Sequence, residues 1–241
     1  MASAPPNGLV RVLILAHRGA HEPETPGVRE NTLAAFRGAA GSGADGVELD
    51  VRRTADGSLV VLHDPAIDGL GAIATLPAAA LPDWIPTLRE ALDACAGLAL
   101  VDVEVKNSPL EPGFDAGPGL AAAVAAAVLA SPVAAQAVVT SFHLDTLDAV
   151  RAAAPGLDTG WLTMPGYDQQ DAVRVAAGRG HLALATPDRG TDERVVSAAR
   201  AAGLAVVVWT VNSPERMCEL SKWGVDACVT DRPRLAASAV R

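Results

Sequence analysis

Apolar and polar residues alternate along two stretches of the chain with the period of two that marks a strand with unlike faces. In the first, Val47, Leu49 and Val51 alternate with Glu48, Asp50 and Arg52. In the second, Val101, Val103 and Val105 alternate with Asp102, Glu104 and Lys106. Further strands are expected at Leu9 to Ala16, Val138 to Thr140, Thr159 to Leu162, Leu182 to Leu184, Ala205 to Trp209 and Ala227 to Val229. Helical spacing fills the gaps at Leu144 to Ala153, Asp168 to Ala177, Asp192 to Ala202 and Pro214 to Lys222. Asn31 or Thr32 can cap a helix running to about Gly41, and Thr87-Leu-Arg-Glu90 reads as a capping box opening a helix to about Cys95.

Eight strands, each followed by a helical segment, predict an α/β fold, the (β/α)8 TIM barrel. An open doubly wound sheet is the alternative, but no glycine-rich phosphate loop follows the first strand. The second strand carries an insertion, Arg53 to Pro86. Asp56-Gly57 is expected to be its two-residue hairpin turn, with Leu59 to Leu62 returning. That register sets Asp50 across from His63 on one face. The rest of the insertion, rich in Gly, Ala and Pro, reads as loop.

With 241 residues, half of them hydrophobic, the chain can bury a large core, and nothing in it marks a boundary, so residues 1–241 are taken as a single domain. A net charge of −9 without clustered cations argues against nucleic acid as a partner. Cys95, Cys218 and Cys228 lack metal-ligand spacing and suggest a reducing compartment. The alanine-rich run from Leu120 to Ala130 is shorter than the ~20 residues of a membrane span. Arg11 interrupts the first apolar run, which no basic region precedes, so it reads as a strand and not a signal peptide. A cytoplasmic protein without a membrane anchor is expected; no oligomeric state is assigned.

In a parallel barrel, functional groups gather at the carboxyl ends of the strands. His17, Arg18 and Gly19 stand there on the first strand, Glu48 and Asp50 late on the second, and Glu104 and Lys106 late on the third. A lone Glu-x-Asp pair is ordinarily a solvated acidic face. Several inward carboxylates on neighbouring strands are different, because without a cation each resists the ionisation of the others. A hard divalent metal resolves that conflict, and oxygen ligands suit Mg²⁺ or Ca²⁺ better than zinc. Arg18 and Lys106, one of only two lysines, would favour an anionic phosphate beside the metal. His17 and His63 could act as general base and acid. Trp209, ending a strand at the same face, could form a pocket wall.

Other polar residues read as structural. Ser141, His143 and Asp145 suggest a hydrolase triad, but helix capping accounts for them better. His143 and His181 read as surface or helix-boundary residues, and Asp226 and Asp231 as loop and cap residues closing the barrel.

Taken together, His17-Arg-Gly19, Glu30-Asn-Thr-Leu-Ala-Ala-Phe36, Gly43 to Val51, Val60-Val-Leu-His-Asp64, Ile85-Pro-Thr-Leu88 and Val103-Glu-Val-Lys106 resemble the motifs of the glycerophosphodiester phosphodiesterase family. Thr140-Ser-Phe142, Val208 to Asn212 and Gly224 to Pro233 extend the likeness over nearly the whole chain. The resemblance implies a barrel enzyme that uses a divalent cation to hydrolyse a small-molecule glycerophosphodiester to an alcohol and sn-glycerol 3-phosphate. It places the metal ligands on Glu48, Asp50 and Glu104, the acid/base histidines on His17 and His63, and the phosphate-binding cations on Arg18 and Lys106. It also implies attack by the glycerol 2-hydroxyl and a cyclic phosphate that water opens. The position of His63 beside Asp50 suggests it as the acid. Two features depart from the pattern: the loop after His63-Asp64 lacks the usual Arg-Thr pair, and His21 to Gly27 lengthens the segment before Glu30. The first bears on the alcohol side of the substrate, and the second could narrow the site or add contacts. Alternatives are a lysophospholipase D-type activity on acylated glycerophosphodiesters and a non-catalytic barrel that binds a phosphorylated metabolite.

Overall fold

The computed structural model describes residues 11–241; Leu9 and Val10, at the head of the expected first strand, lie outside the described residues. Eight parallel strands close into a barrel: β1 (Leu13–Ala16), β2 (Gly46–Arg53), β6 (Leu100–Val105), β7 (Ala137–Ser141), β8 (Asp158–Leu162), β9 (Ala183–Pro187), β10 (Ala205–Trp209) and β11 (Ala227–Thr230). Each pairs with the next, and β1 closes the ring by pairing with both β2 and β11. Eight helices pack outside: α1 (Leu33–Gly38), α2 (Leu88–Ala94), α3 (Gly119–Leu129), α4 (Leu144–Ala153), α5 (Gln169–Arg179), α6 (Glu193–Ala201), α7 (Pro214–Trp223) and α8 (Pro233–Val240). None of them is long and apolar enough to cross a membrane.

The alternation in the sequence explains how the barrel wall is dressed. Val47, Leu49, Val51, Val101, Val103 and Val105 join the apolar layer between strands and helices. Their neighbours Glu48, Asp50, Asp102 and Glu104 point into the barrel and are buried there. A smaller apolar cluster of Leu15, Leu162, Ala185, Val207, Ala227 and Val229 fills the barrel axis. Helix ends follow local chemistry. Thr87 and Glu90 complete both halves of the capping box on α2, Asp168, Asp192 and Ser213 cap α5, α6 and α7, and Gly180 and Gly224 end α5 and α7 in the left-handed conformation.

The insertion after β2 departs from expectation in two ways. The returning strand β3 (Leu59–Val61) pairs Arg53 with Leu59 and Val51 with Val61, one residue away from the register of a two-residue turn. The loop is Ala55-Asp56-Gly57, with Thr54 N–H donating to Ser58 O at 2.9 Å and Gly57 at φ +84°. Asp56 favours this wider turn, since its carboxylate accepts from Thr54 Oγ1, Ser58 N–H and Ala78 N–H. Leu62, not His63, therefore sits across from Asp50, donating its N–H to Asp50 O at 3.0 Å. His63 lies past the ladder, where Arg52 Nε holds its carbonyl at 2.8 Å, and its ring reaches the barrel mouth because the chain has left the strand. The stretch read as loop contains a small antiparallel pair, β4 (Ala66–Ile67) and β5 (Gly71–Ala72), and two 3-10 turns, over an apolar cluster of Val60, Ile73 and Ile85.

Gly46 marks the tightest approach in the barrel wall: a Cβ there would stand 2.1 Å from Leu100 O and 2.7 Å from a Leu15 methyl. Gly46→Ala should destabilise the fold by about 1–3 kcal/mol. Gly178→Ala, in α5 with nothing within 4 Å of the added methyl, should stabilise it by about 0.5–1 kcal/mol. Urea unfolding midpoints check both. An unchanged midpoint for Gly46→Ala would contradict the packing described for β1, β2 and β6.

Candidate active site

Parallel pairing of β2 with β6 sets Glu48 beside Asp102 and Asp50 beside Glu104. Four carboxylates thus occupy two levels of the barrel interior, each no more than 7% exposed. One oxygen each of Glu48, Asp50 and Glu104 lies within 4.8 Å of the other two. Lys106, at the end of β6, places Nζ 2.8 Å from Asp50 Oδ1 and 2.5 Å from Glu104 Oε1. Arg18 follows β1 at a positive φ of 54°. Its backbone N–H donates to Glu48 Oε2 at 3.0 Å, its Nη1 donates to Glu30 at 2.8 Å, and its Nε lies 3.3 Å from Asp50 Oδ2.

These contacts split the acids electrostatically. Burial pushes Asp50 up, but Lys106 and Arg18 outweigh it and hold this carboxyl down at about 2. Glu48 is raised well above the usual carboxylate range by burial and by the charges of Asp50 and Glu104. Glu104 is raised too, chiefly by burial, with Lys106 opposing and Asp50 adding. Burial takes Asp102 to about 7 despite the hydrogen bond it accepts from Thr140 Oγ1 at 2.6 Å. Lys106 is buried, yet Glu104 and Asp50 raise it, so its ammonium stays charged. Glu48 Oε1 is buried without a hydrogen-bond partner, and Asp50 Oδ1 and Glu104 Oε1 share the single ammonium of Lys106. Three convergent buried carboxylates, compensated only in part by Lys106 and Arg18, fit a hard divalent cation.

His17 and His63 both line the cavity above these acids, which measures about 180 Å³. His17 Nε2 faces Glu48 Oε2 at 3.9 Å, while its Nδ1 lies 2.6 Å from Asp231 Oδ1. His63 Nδ1 lies 2.8 Å from Asp64 Oδ1. Burial, and secondarily the charge of Lys106, lowers His63. Trp209 forms part of the cavity wall, edge-on to Phe142 at 5.5 Å between ring centroids. All eight residues singled out from the sequence thus meet at one end of the barrel.

The residue that strand-by-strand reasoning missed is Asp231, read as a cap. Ala16 pairs with Thr230 across β1 and β11, so the next residues, His17 and Asp231, emerge side by side. Asn212 Nδ2 donates to the other Asp231 oxygen at 2.7 Å. Burial opposes ionisation of Asp231, but the His17 hydrogen bond and charge hold it at about 2. Closing the ring from β11 to β1 on paper would have exposed this pair. Asn31, read as one of two possible caps, is buried at φ 55° and donates to Asp50 Oδ2 at 2.7 Å, while Thr32 caps α1. Ser141 Oγ donates to Val105 O, and His143, at the N-cap position of α4 without a side-chain cap bond, lies with Nδ1 3.1 Å from Thr146 Oγ1, which leaves no triad. His181 does sit just past α5 but is buried, its Nδ1 3.0 Å from Thr159 Oγ1.

Residues 17–235 match the model of the glycerophosphoryl diester phosphodiesterase family. A glycerophosphodiester phosphodiesterase of Caldanaerobacter subterraneus subsp. tengcongensis is 30% identical, over 96% of this chain and 99% of its own. Among solved structures, the glycerophosphodiester phosphodiesterase of Thermotoga maritima superposes with a TM-score of 0.77 at 26% identity, covering 94% of this chain and 97% of its own. An Oleispira antarctica phosphodiesterase in complex with the product sn-glycerol-3-phosphate gives a TM-score of 0.77 at 26% identity, over 95% of this chain and 97% of its own.

The carboxylate geometry generates a direct expectation. In calorimetric titration with Mg²⁺, Ca²⁺ or Mn²⁺, Glu48→Gln and Glu104→Gln should each weaken cation binding about tenfold or more while the far-ultraviolet circular dichroism stays unchanged. Wild-type affinity in both variants would remove these residues from the cation site.

Proposed function

The chain belongs to the glycerophosphoryl diester phosphodiesterase family, and from that premise we propose that the acidic cavity hydrolyses glycerophosphodiesters to an alcohol and sn-glycerol 3-phosphate. The observation that carries this reading is the coincidence, in one cavity, of three convergent buried carboxylates, two cations and two imidazoles. Glu48, Asp50 and Glu104 would hold the divalent cation, Mg²⁺ or Ca²⁺, on all-oxygen ligands. That cation, when bound, supplies Lewis-acid stabilisation of the charge that gathers on the phosphoryl oxygens.

The remaining work falls to the protein's own groups. Lys106 and Arg18 bring positive charge to the phosphate. His17 donates Nδ1–H to the ionised Asp231, which leaves the Nε2 lone pair facing the cavity, the tautomer a general base needs. His17 Nε2 accepts the proton of the glycerol 2-hydroxyl, whose oxygen attacks phosphorus. The bond to the departing alcohol breaks, and His63 Nε2 gives that oxygen a proton. The lowered proton affinity of His63 makes it a stronger acid once protonated. A cyclic phosphate results, and water opens it with the two imidazoles in exchanged roles, yielding sn-glycerol 3-phosphate.

The same reading takes residues 1–241 as one catalytic domain. The cysteines Cys95, Cys218 and Cys228 are free, which suits the reducing cytoplasm as the working compartment.

The division of roles predicts different responses to the leaving group. His63→Ala should lose about 10²–10⁴ in kcat on an alkyl diester but much less on an aryl diester, whose aryloxide leaves without a proton. His17→Ala should be impaired about equally on both. Release of sn-glycerol 3-phosphate is the readout. Equal rescue of both variants by the aryl substrate, or of neither, would contradict the assignment.

A further inference from the structure

A second cavity, of about 330 Å³, opens beside the catalytic one. Both are lined by His63, Glu104, Lys106, Phe142 and Trp209, whereas His17, Arg18 and Glu48 line only the first. The second takes its own walls from Arg52 on β2, from Ser108 and Glu111 in the loop between β6 and α3, and from Met164 in the loop between β8 and α5. A phosphodiester has two arms. With its phosphorus at the shared residues and its glycerol toward His17, the other arm must leave past His63 into this second space.

Resting on the function proposed above, we propose that this second cavity is the subsite of the leaving alcohol and that it selects an uncharged, aliphatic alcohol over a cationic one. Several of its charged and polar walls are already engaged by protein. Arg52 gives Nε and Nη2 to His63 O, at 2.8 and 2.5 Å, and Nη1 to Glu111 Oε2 at 2.7 Å. The guanidinium and the carboxylate thus neutralise each other. Ser141 Oγ donates to Val105 O at 2.8 Å, and Ser108 Oγ accepts from Leu110 N–H at 3.2 Å. The two aromatic rings do not form a cage for a second cation, because Lys106 Nζ stands 6.0 Å from the centre of the Phe142 ring and Trp209 packs edge-on against that ring. Farther from the shared Lys106 and Glu104, the surface offered to a ligand is chiefly the apolar part of Phe142, Trp209 and Met164. Met164 is 60% exposed, and Leu110, between lining residues Ser108 and Glu111, is 93% exposed. Met164 thus presents an aliphatic side chain to water at the opening, where an alkyl chain would cover it.

The test compares diesters of sn-glycerol 3-phosphate carrying methyl, butyl, hexyl, choline and 3,3-dimethylbutyl groups, with sn-glycerol 3-phosphate release as readout in saturating Mg²⁺. The last two share a shape and differ in charge. KM should fall about two- to fourfold for each methylene that reaches the cavity, and the 3,3-dimethylbutyl ester should have a KM at least about threefold below that of the choline ester. Effects on KM separate binding from leaving-group acidity, which acts on kcat. Met164→Ser should flatten the chain-length dependence and Met164→Leu should restore it. A KM indifferent to chain length in the wild-type enzyme, or a lower KM for the choline ester that Glu111→Gln abolishes, would overturn the proposal while leaving the phosphodiesterase reading in place. Failure of every diester to release sn-glycerol 3-phosphate would overturn both.

Discussion

Buried negative charge is the constraint on which this structure turns. Glu48, Asp50, Asp102 and Glu104 are enclosed by the barrel wall, and the cations among them are Lys106 and Arg18. Taking carboxylates out of water is costly, and a fold tolerates it only where compensating charge is held close. Here the compensation is incomplete: Asp50 is pulled down by its two cations, while Glu48 and Glu104 are left resisting ionisation. A hydrophobic core would have filled these positions with valine, as it does on the opposite face of the same strands. The acids are affordable in a folded protein only as part of a site that gathers positive charge.

The barrel supplies the geometry for that site. Parallel pairing aligns the acids of β2 and β6, and closure of β11 onto β1 brings Asp231 to His17. Residues about 200 positions apart in sequence thereby act as one unit, since the carboxylate fixes which imidazole nitrogen faces the cavity. Glu30 and Asn31 do a related job for Arg18 and Asp50, holding the guanidinium and the carboxylate from the loop before α1. The two histidines of the cavity differ in their supports. His17 is held by an ionised partner on a strand end, and His63 by its neighbour Asp64 and by the arginine that grips its carbonyl.

How much of this the sequence disclosed depended on how local the cause was. The inward acids on β2 and β6 were legible because a period of two is a property of neighbouring residues. The capping box at Thr87 and Glu90 was legible for the same reason. The hairpin register was not, because Asp56 binds Ala78 as well as its own turn, and that contact is invisible from the dipeptide Asp-Gly. His63 still reaches the cavity, by a route that strand pairing did not predict. Asp231 was missed because its role exists only once the ring is closed, and a strand-by-strand reading never compares the last strand with the first. The second cavity was equally hidden, since its walls come from separate strands and loops that share no sequence pattern.

The central claim is that the buried carboxylates hold a divalent cation on which hydrolysis of a glycerophosphodiester depends. Phosphorus-31 NMR of glycerophosphobutanol incubated with chelator-stripped protein, before and after addition of excess Mg²⁺, tests it most directly. The account predicts no sn-glycerol 3-phosphate signal until the cation is supplied, then its growth at the expense of the diester. The same rate of product formation in excess chelator would contradict it.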